Sequence, residues 1–422
     1  MVKNLLGNRA SIGVLVLLAT VGGDARATIG NQRDPGTSEL PTTGALAFEL
    51  AEDAWNGGWK HFDLCSAALI AGGLSSQPEL DEYLRFFEVI RRFSAAQLTH
   101  SAGRLPADRG SCAARAQELA ADPELTLCRA REVFEFMHRE VLTGGYQAHV
   151  SQLGQTLRDG SYNCVTATVL FQCLCRAHGI DVVAVATRGH VFARLVRQPP
   201  IDVQTTCSSW ADATKKDGHE CESSWVESSD LREVNDVQLV AKIYYNRAVA
   251  ELEKKNFHSA AELLQHSLRA DPEDRSARRN LIATLNNWSL EECERGNYTH
   301  AVGLLQEGAA IDPSFAPLLA NDLHIHRQWI LTLCRQNRYA EAIEILEQGY
   351  VRRPEETLFR LGRFKVYRLW CESFLRNGQP IKAWQVLDVA RRRYPGNEDW
   401  LRYEAETIAS ADGDLSRQGH SR

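Results

Sequence analysis

The sequence predicts an α+β unit with a helical N-terminal part, followed by an all-helical solenoid of repeats. A buried-helix pattern over residues 163–179 precedes three strand patterns, at 181–187, 190–196 and 201–206. From about residue 236, equivalent residues recur at a constant step of 41. A helix followed by strands indicates the α+β unit, and a fixed period of this size indicates stacked helical repeats.

The composition is that of a soluble globular protein. Of the 422 residues, 44% are hydrophobic and 24% are charged, and the net charge is −6. These totals lack the basic excess of proteins that bind nucleic acid or anionic membranes, so neither partner is expected. No Gly-rich phosphate loop follows a strand pattern, and the sequence indicates no cofactor.

The first 27 residues are typical of a cleavable export signal. Lys3 and Arg9 supply a positive start, residues 12–21 form an apolar run, and an Ala-Arg-Ala cleavage site ends at Ala27. The apolar run is about half of the ~20 residues that a transmembrane helix requires. We therefore expect cleavage after Ala27, secretion or export to the periplasm, and no stable membrane span.

The region 44–206 is expected to form the first domain, after a polar linker at 28–43. Apolar residues at helical spacing predict helices at about 79–98 and 125–142. Gly179 ends the buried-helix pattern, because a glycine often terminates a helix in the left-handed conformation.

Residues 207–235 are polar and are expected to form an exposed excursion and linker. Cys207 and Cys221 flank its most polar part and are the candidate disulfide pair of an exported chain. The chain has eleven cysteines, so at least one thiol stays outside any intramolecular pairing. Most of the others fall in helical patterns, where cysteine packs as a small hydrophobic residue.

Residues 236–409 contain four units of 41 residues. Each unit has an aromatic residue or proline after a polar turn, an alanine three residues later, and a proline near its end. The three sets are Phe257, Tyr298, Tyr339 and Pro380; Ala260, Ala301, Ala342 and Ala383; and Pro272, Pro313, Pro354 and Pro395. The pattern resembles the tetratricopeptide family, whose usual period is ~34 residues. The excess of about seven residues is two helical turns, which can lengthen a helix without rotating its apolar face.

Helical pairs of this kind cannot bury their apolar faces alone, so neighbouring units must stack. The array is then either a structural brace for the first domain or a concave surface for a protein partner, which the sequence does not identify. Residues 410–422 are polar and are expected to form a disordered tail.

Cys164, His190 and Asp202 are the candidate catalytic residues. Cys164 begins a predicted helix, whose free N–H groups and partial positive charge would lower the pKa of the thiol and receive an oxyanion. His190 begins a predicted strand and would act as the base. Asp202, on the next strand, would orient the imidazole.

This arrangement resembles the transglutaminase-like branch of the papain-like superfamily. The resemblance rests on GSYNCVTATVL, GHVFARL and IDVQTT over about residues 125–205, and on the repeats over 236–400. It implies a papain-like α+β core and acyl transfer through a thioester, with Cys164 as nucleophile, His190 as base and Asp202 as orienter. The substrate would be a protein or peptide. The superfamily also contains members that have lost activity.

Two features of such a site stay open in the sequence. No motif selects an oxyanion donor among Gln152, Gln155 and Tyr162. Metal binding is the rival chemistry, with one candidate set at Cys173, Cys175 and His178 and another at Cys207, His219 and Cys221. Cys173 and Cys175 point to different faces of a helix and the second set lacks a fourth ligand, so the sequence favours core packing over a metal site.

Two functions are therefore compatible with the sequence. The first is an exported thiol enzyme that hydrolyses peptides or amides, or transfers an acyl group to an amine, with a repeat arm that recruits protein. The second is a non-catalytic interaction protein with a relic transglutaminase-like core and partner-binding repeats. Catalysis requires Cys164 sulfur within about 4 Å of a His190 nitrogen, and the other nitrogen bonded to Asp202.

Overall fold

A computed structural model describes residues 45–101, 122–210 and 231–395. The predicted export signal, the linker at 28–43 and the tail at 410–422 lie outside these ranges. The described chain divides between Thr284 and Leu285 into two compact units.

The first unit contains eight complete helices and eight strands among its described residues. The helices are α1 (Ala45–Asp53), α2 (Leu64–Ala71), α3 (Gln77–Ser101), α4 (Pro123–Phe136), α5 (Leu153–Asp159), α6 (Cys164–Ala177), α7 (Asp236–Glu253) and α8 (Phe257–Ala270). A π-helical turn, Met137–Val141, extends α4. The strands are β1 (Ala54–Trp55), β2 (Gly58–Trp59), β3 (Gly145–Tyr146), β4 (Ser161–Tyr162), β5 (Val182–Ala186), β6 (Val191–Leu195), β7 (Ile201–Val203) and β8 (Arg232–Val234).

The expected papain-like α+β fold class is wrong, because the protein is mainly helical. Helices make up 69% of the described structure. The expected helix at 163–179 is present as α6, and the three expected strands are present as β5, β6 and β7. These strands are only three to five residues long. They form one small sheet, so helices such as α2, α4 and α6 supply most of the large buried side chains.

The sheet is antiparallel throughout, in the order β7-β6-β5-β8. Strand β6 pairs with β7 so that Arg194 lies opposite Asp202. Helix α6 packs against β5 and β6 and is buried at every position from Cys164 to Gln172. The sheet and α6 therefore hold each other in place, and the first turn of α6 lies near the start of β6.

Asn163 fixes the start of α6. Its side-chain Oδ1 accepts hydrogen bonds from the N–H groups of Val165 and Thr166, each at 3.0 Å. The Thr166 hydroxyl accepts in return from the Asn163 N–H at 3.1 Å. This reciprocal capping box satisfies N–H groups that would otherwise lack partners in a buried helix end, so the position of Cys164 is well defined.

The second unit is built from helical pairs. Helix α9 (Arg275–Arg295) contains the division, and it is followed by α10 (Tyr298–Ile311), α11 (Ala316–Arg335), α12 (Tyr339–Arg352), α13 (Thr357–Arg376) and α14 (Pro380–Arg393). Phe257, Tyr298, Tyr339 and Pro380 are the first residues of α8, α10, α12 and α14, which have 14 residues each. Within the described ranges, no helix has the length and apolar character to cross a membrane.

Gly349 marks the closest approach between two helices of the second unit. A Cβ atom there would lie 2.2 Å from ring carbons of Phe359, which is fully buried. Gly303, in the equivalent type of helix, has nothing within 4 Å of an added Cβ atom. The pair separates the effect of packing from the effect of helix propensity.

We expect Gly349→Ala to lower the melting temperature and Gly303→Ala to leave it unchanged or raise it. The methyl group at 349 forces Phe359 to move, which costs roughly 1–3 kcal/mol. Alanine gains only about 1 kcal/mol over glycine in a helix interior. Differential scanning calorimetry of both variants measures the difference. Equal melting temperatures would contradict the close packing of α12 on α13.

Candidate functional site

Cys164 is the first residue of α6 and is almost enclosed. Only 6% of its surface is exposed. Backbone N–H groups of Val191 and Val165 donate toward its sulfur and favour the thiolate. Burial opposes them and is the larger effect, so the pKa of the Cys164 thiol is raised. The predicted lowering of this pKa at the helix start is therefore wrong in direction.

His190 is positioned by the turn between β5 and β6. Thr187 accepts the His190 N–H through its hydroxyl at 3.1 Å and donates its own N–H to the His190 carbonyl at 2.8 Å. The ring Nε2 is hydrogen-bonded to Oε1 of Gln204 at 2.7 Å. Burial lowers the pKa of His190, and the bond to Gln204 offsets this only in part. The imidazole is therefore neutral at neutral pH.

Asp202 does not contact His190. Its two carboxylate oxygens accept from Nε and a terminal nitrogen of Arg194, at 2.5 Å and 2.9 Å. The register explains this, because Arg194 lies directly opposite Asp202 in the β6–β7 ladder. His190 precedes β6, so the residue that reaches it lies beyond β7 rather than within it. Gln204 occupies that position.

The predicted trio is thus not assembled. In the described structure, no hydrogen bond joins the Cys164 sulfur to the His190 ring, and neither group shifts the pKa of the other. An activated thiol needs a thiolate stabilised beside an imidazolium or another cation. Here a neutral thiol and a neutral imidazole lie on one cavity without such a partner. The prediction of a papain-like cysteine hydrolase is corrected accordingly.

None of the three candidate oxyanion donors serves that role among the described contacts. The Tyr162 hydroxyl donates to the Thr206 carbonyl at 3.3 Å. Gln155 donates to Asp159 on its own helix at 3.4 Å. Gln152 is the exposed N-cap residue of α5. None of the three lines the cavity at Cys164.

Cys164 and His190 line a cavity of about 530 Å³ in the first unit, which we call the Cys164 groove. One wall is the start of α6 with the β5–β6 turn. The other wall is α7 with the start of α9. The lining residues are Tyr146, Ala148, Asn163, Cys164, Val165, Thr187, Arg188, Gly189, His190, Val191, Lys242, Tyr245, Asn246, Asp274, Ser276, Arg279 and Asn280. The volume is in the range of small-ligand and peptide side-chain pockets.

The charges of the Cys164 groove are unequally paired. The Lys242 ammonium binds the buried Asp274 at 2.6 Å and lies 3.7 Å from Asp271. Arg188 and Arg279 are exposed, and no described carboxylate pairs with either of them. The groove therefore offers two unpaired guanidinium groups next to an internally neutralised ammonium group.

Tyr245 and Asn280 form a fixed polar floor on the second wall. The Asn280 amide donates to the Tyr245 hydroxyl at 3.1 Å. Burial raises the pKa of Tyr245 to about 12, so the phenol stays protonated and can donate a hydrogen bond. Asp274 caps α9 by accepting from the N–H groups of Ser276 and Ala277.

The sequence did not point to Gln204 or to the second wall. Gln204 lies two residues after Asp202, and counting the antiparallel register from Arg194 would have favoured it. Lys242 and Arg279 belong to helices that are distant in sequence, and no local pattern connects them to Cys164.

The metal alternative receives no support from the donor positions. In the part of the chain that the structure describes, no three His, Cys, Asp or Glu side chains converge as metal ligands. His178 Nε2 is hydrogen-bonded to the Ser94 hydroxyl at 2.9 Å. Cys207 is disulfide-bonded, while His219 and Cys221 lie outside the described residues.

Comparisons with known proteins give little for this chain. No protein-family model matches it, and no curated protein matches it either. It is similar to one solved structure, described as the crystal structure of menin that reveals the binding site for Mixed Lineage Leukemia (MLL) protein. The identity is 14% and the TM-score 0.37, over 86% of this chain and 87% of that chain. A likeness of this size carries no functional inference.

We expect alkylation of Cys164 to accelerate only in alkaline solution, because its raised pKa keeps the thiol protonated at neutral pH. Iodoacetamide labelling from pH 6 to 10, followed by peptide mass spectrometry, measures the rate. The exposed Cys128 is the internal reference. A Cys164 rate that reaches its plateau below pH 8 would show an activated thiolate and contradict the electrostatics derived above.

We expect Gln204→Leu, but not Asp202→Asn, to change the titration of His190. The bond to Gln204 raises the His190 pKa against burial, so its loss lowers the pKa further. NMR titration of the His190 ring protons measures both variants. If Asp202→Asn shifts the pKa and Gln204→Leu does not, Asp202 is the orienter after all.

Proposed function

We propose that the protein is a non-catalytic interaction protein whose Cys164 groove holds an extended peptide segment that carries an acidic group. The unpaired Arg188 and Arg279 guanidinium groups on one groove are the observation that carries this proposal. A carboxylate is the natural complement, because guanidinium forms charge-assisted and often bidentate hydrogen bonds with it.

The electrostatics of Cys164 and His190 favour binding over chemistry. A buried neutral thiol and a neutral imidazole offer a weakly polar surface rather than a nucleophile and its base. Such groups can contact a peptide without reacting with it. The site then keeps the position of a reactive centre while its polar side chains bind other groups.

The two walls of the groove suit a peptide in different ways. The Tyr146 ring is 48% exposed and offers an apolar contact beside Cys164. Tyr245 and Asn246 on α7 present polar groups on the opposite wall. An apolar surface with a few fixed polar groups is the usual composition of a recognition pocket.

The repeats contribute directly to this function. Helix α7 belongs to the first predicted repeat and α9 begins the second, and both provide lining residues. We therefore propose that the array serves as a recognition surface as well as a support for the first domain.

Peptides selected from a random display library on the intact protein test the proposal. We expect the selected peptides to share an acidic residue or a free carboxyl terminus. The double variant Arg188→Ala/Arg279→Ala should weaken their affinity at least tenfold, because each charged hydrogen bond contributes roughly 1.5–3 kcal/mol. Fluorescence anisotropy measures the dissociation constants.

Arg85→Ala is the matched control, because Arg85 is an exposed arginine of α3 outside the groove. It removes one positive charge and should leave affinity unchanged. Cys164→Ala should also retain binding, with no peptide cleavage or acyl adduct in the wild type. Peptides without acidic groups, or cleavage that depends on Cys164, would overturn the proposal.

A further inference from the structure

Cys65 and Cys173 bring two free thiols together from distant parts of the chain. Cys65 lies in the first turn of α2 and is 2% exposed, and Cys173 lies on α6 and is partly exposed. Helices α2 and α6 pack against each other, and the Cys65 thiol is hydrogen-bonded to Cys173. The sequence suggested only core packing for Cys173, because Cys65 is far away along the chain.

We propose that Cys65 and Cys173 form a reversible dithiol–disulfide pair that cross-links α2 to α6. Thiols in hydrogen-bond contact are close enough to reach an S–S bond of ~2.05 Å by small side-chain rotations, without separating the helices. Cys175 is two residues away on α6, is fully buried, and faces a different side of the helix. The packing of α2 on α6 therefore selects Cys173 as the partner of Cys65.

The oxidant is an external disulfide, either glutathione disulfide or the disulfide of a thiol oxidoreductase. The partly exposed Cys173 loses its proton and attacks one sulfur of that disulfide, which forms a mixed disulfide and releases one thiolate. Cys65 then loses its proton and attacks the Cys173 sulfur, which forms the Cys65–Cys173 bond and releases the second thiolate. The two cysteines lose two electrons and two protons, and the external disulfide is reduced to two thiols.

The order of the steps follows from exposure. An external disulfide can reach Cys173 but not Cys65, so Cys173 must react first. Burial and the hydrogen bond to Cys173 raise the pKa of the Cys65 thiol, which makes the second step slow and dependent on pH. The reaction is reversed by an excess of reduced thiol.

The cross-link would stiffen the support of the Cys164 groove. Helix α6 carries Cys164, and the carbonyl of Ala71, the last residue of α2, accepts from Arg247 of α7 at 2.7 Å. Joining α2 to α6 therefore connects the two helices that form opposite walls of the groove. A disulfide that closes a loop of about 100 residues is expected to raise the melting temperature by several degrees.

The experiment uses the full chain in buffers poised by reduced and oxidised glutathione. Samples are acid-quenched, denatured and alkylated, and their peptides are mapped by mass spectrometry. We expect a linked peptide that joins Cys65 to Cys173 at oxidising poise and disappears at reducing poise. The oxidised protein should melt several degrees higher than the reduced protein, and this difference should vanish in Cys173→Ser.

Cys175→Ser and Cys128→Ser are the controls and should retain the linked peptide. Because Cys65 is enclosed, Cys65→Ser could disturb folding, so Cys173→Ser at the partly exposed position is the primary variant. The proposal fails if Cys65 remains fully alkylated when Cys207 is oxidised. It also fails if Cys65 links to Cys175, or if Cys173 accumulates only as a glutathione adduct.

Discussion

Packing of α6 against β5 and β6 sets the chemistry of the groove. The helix is buried along its first nine residues, so Cys164 is removed from water together with the turn that carries it. Burial disfavours a charged sulfur, whereas the N–H groups at the helix start favour it. In this protein burial is the stronger effect. A helix start is thus a suitable place for a thiolate only when water or a cation can also reach the sulfur.

The same packing makes the strand register decisive for His190. Antiparallel pairing of β6 with β7 assigns one partner to each side chain, and a shift of two residues changes which polar group meets the ring. Asp202 is bound by Arg194, which also contacts Glu233 at 3.0 Å. Release of Asp202 toward His190 would leave the Arg194 charge less well satisfied. The observed arrangement therefore stabilises the sheet and leaves the imidazole with a neutral amide.

Periodicity predicted the local elements of this chain, while contacts between distant segments were beyond its reach. The apolar spacing located α6 and the strands after it, and the 41-residue step located the first residues of α8, α10, α12 and α14. The fold class was wrong because short strand patterns reveal neither how few strands a sheet has nor how many helices surround it. The trio failed for a related reason: the order Cys, His, Asp along a chain does not fix the register of the final strand.

The groove therefore has the elements of a reactive site without its electrostatics. Reactivity at Cys164 would require a positive charge near the sulfur, yet the unpaired guanidinium groups of the groove belong to Arg188 and Arg279, which are exposed. Charges in that position act on a bound partner, because they remain hydrated until a carboxylate displaces the water. The neutral Cys164 and His190 then lie against the less polar part of the same partner. Binding an acidic segment satisfies both regions at once, whereas thiol chemistry would satisfy neither.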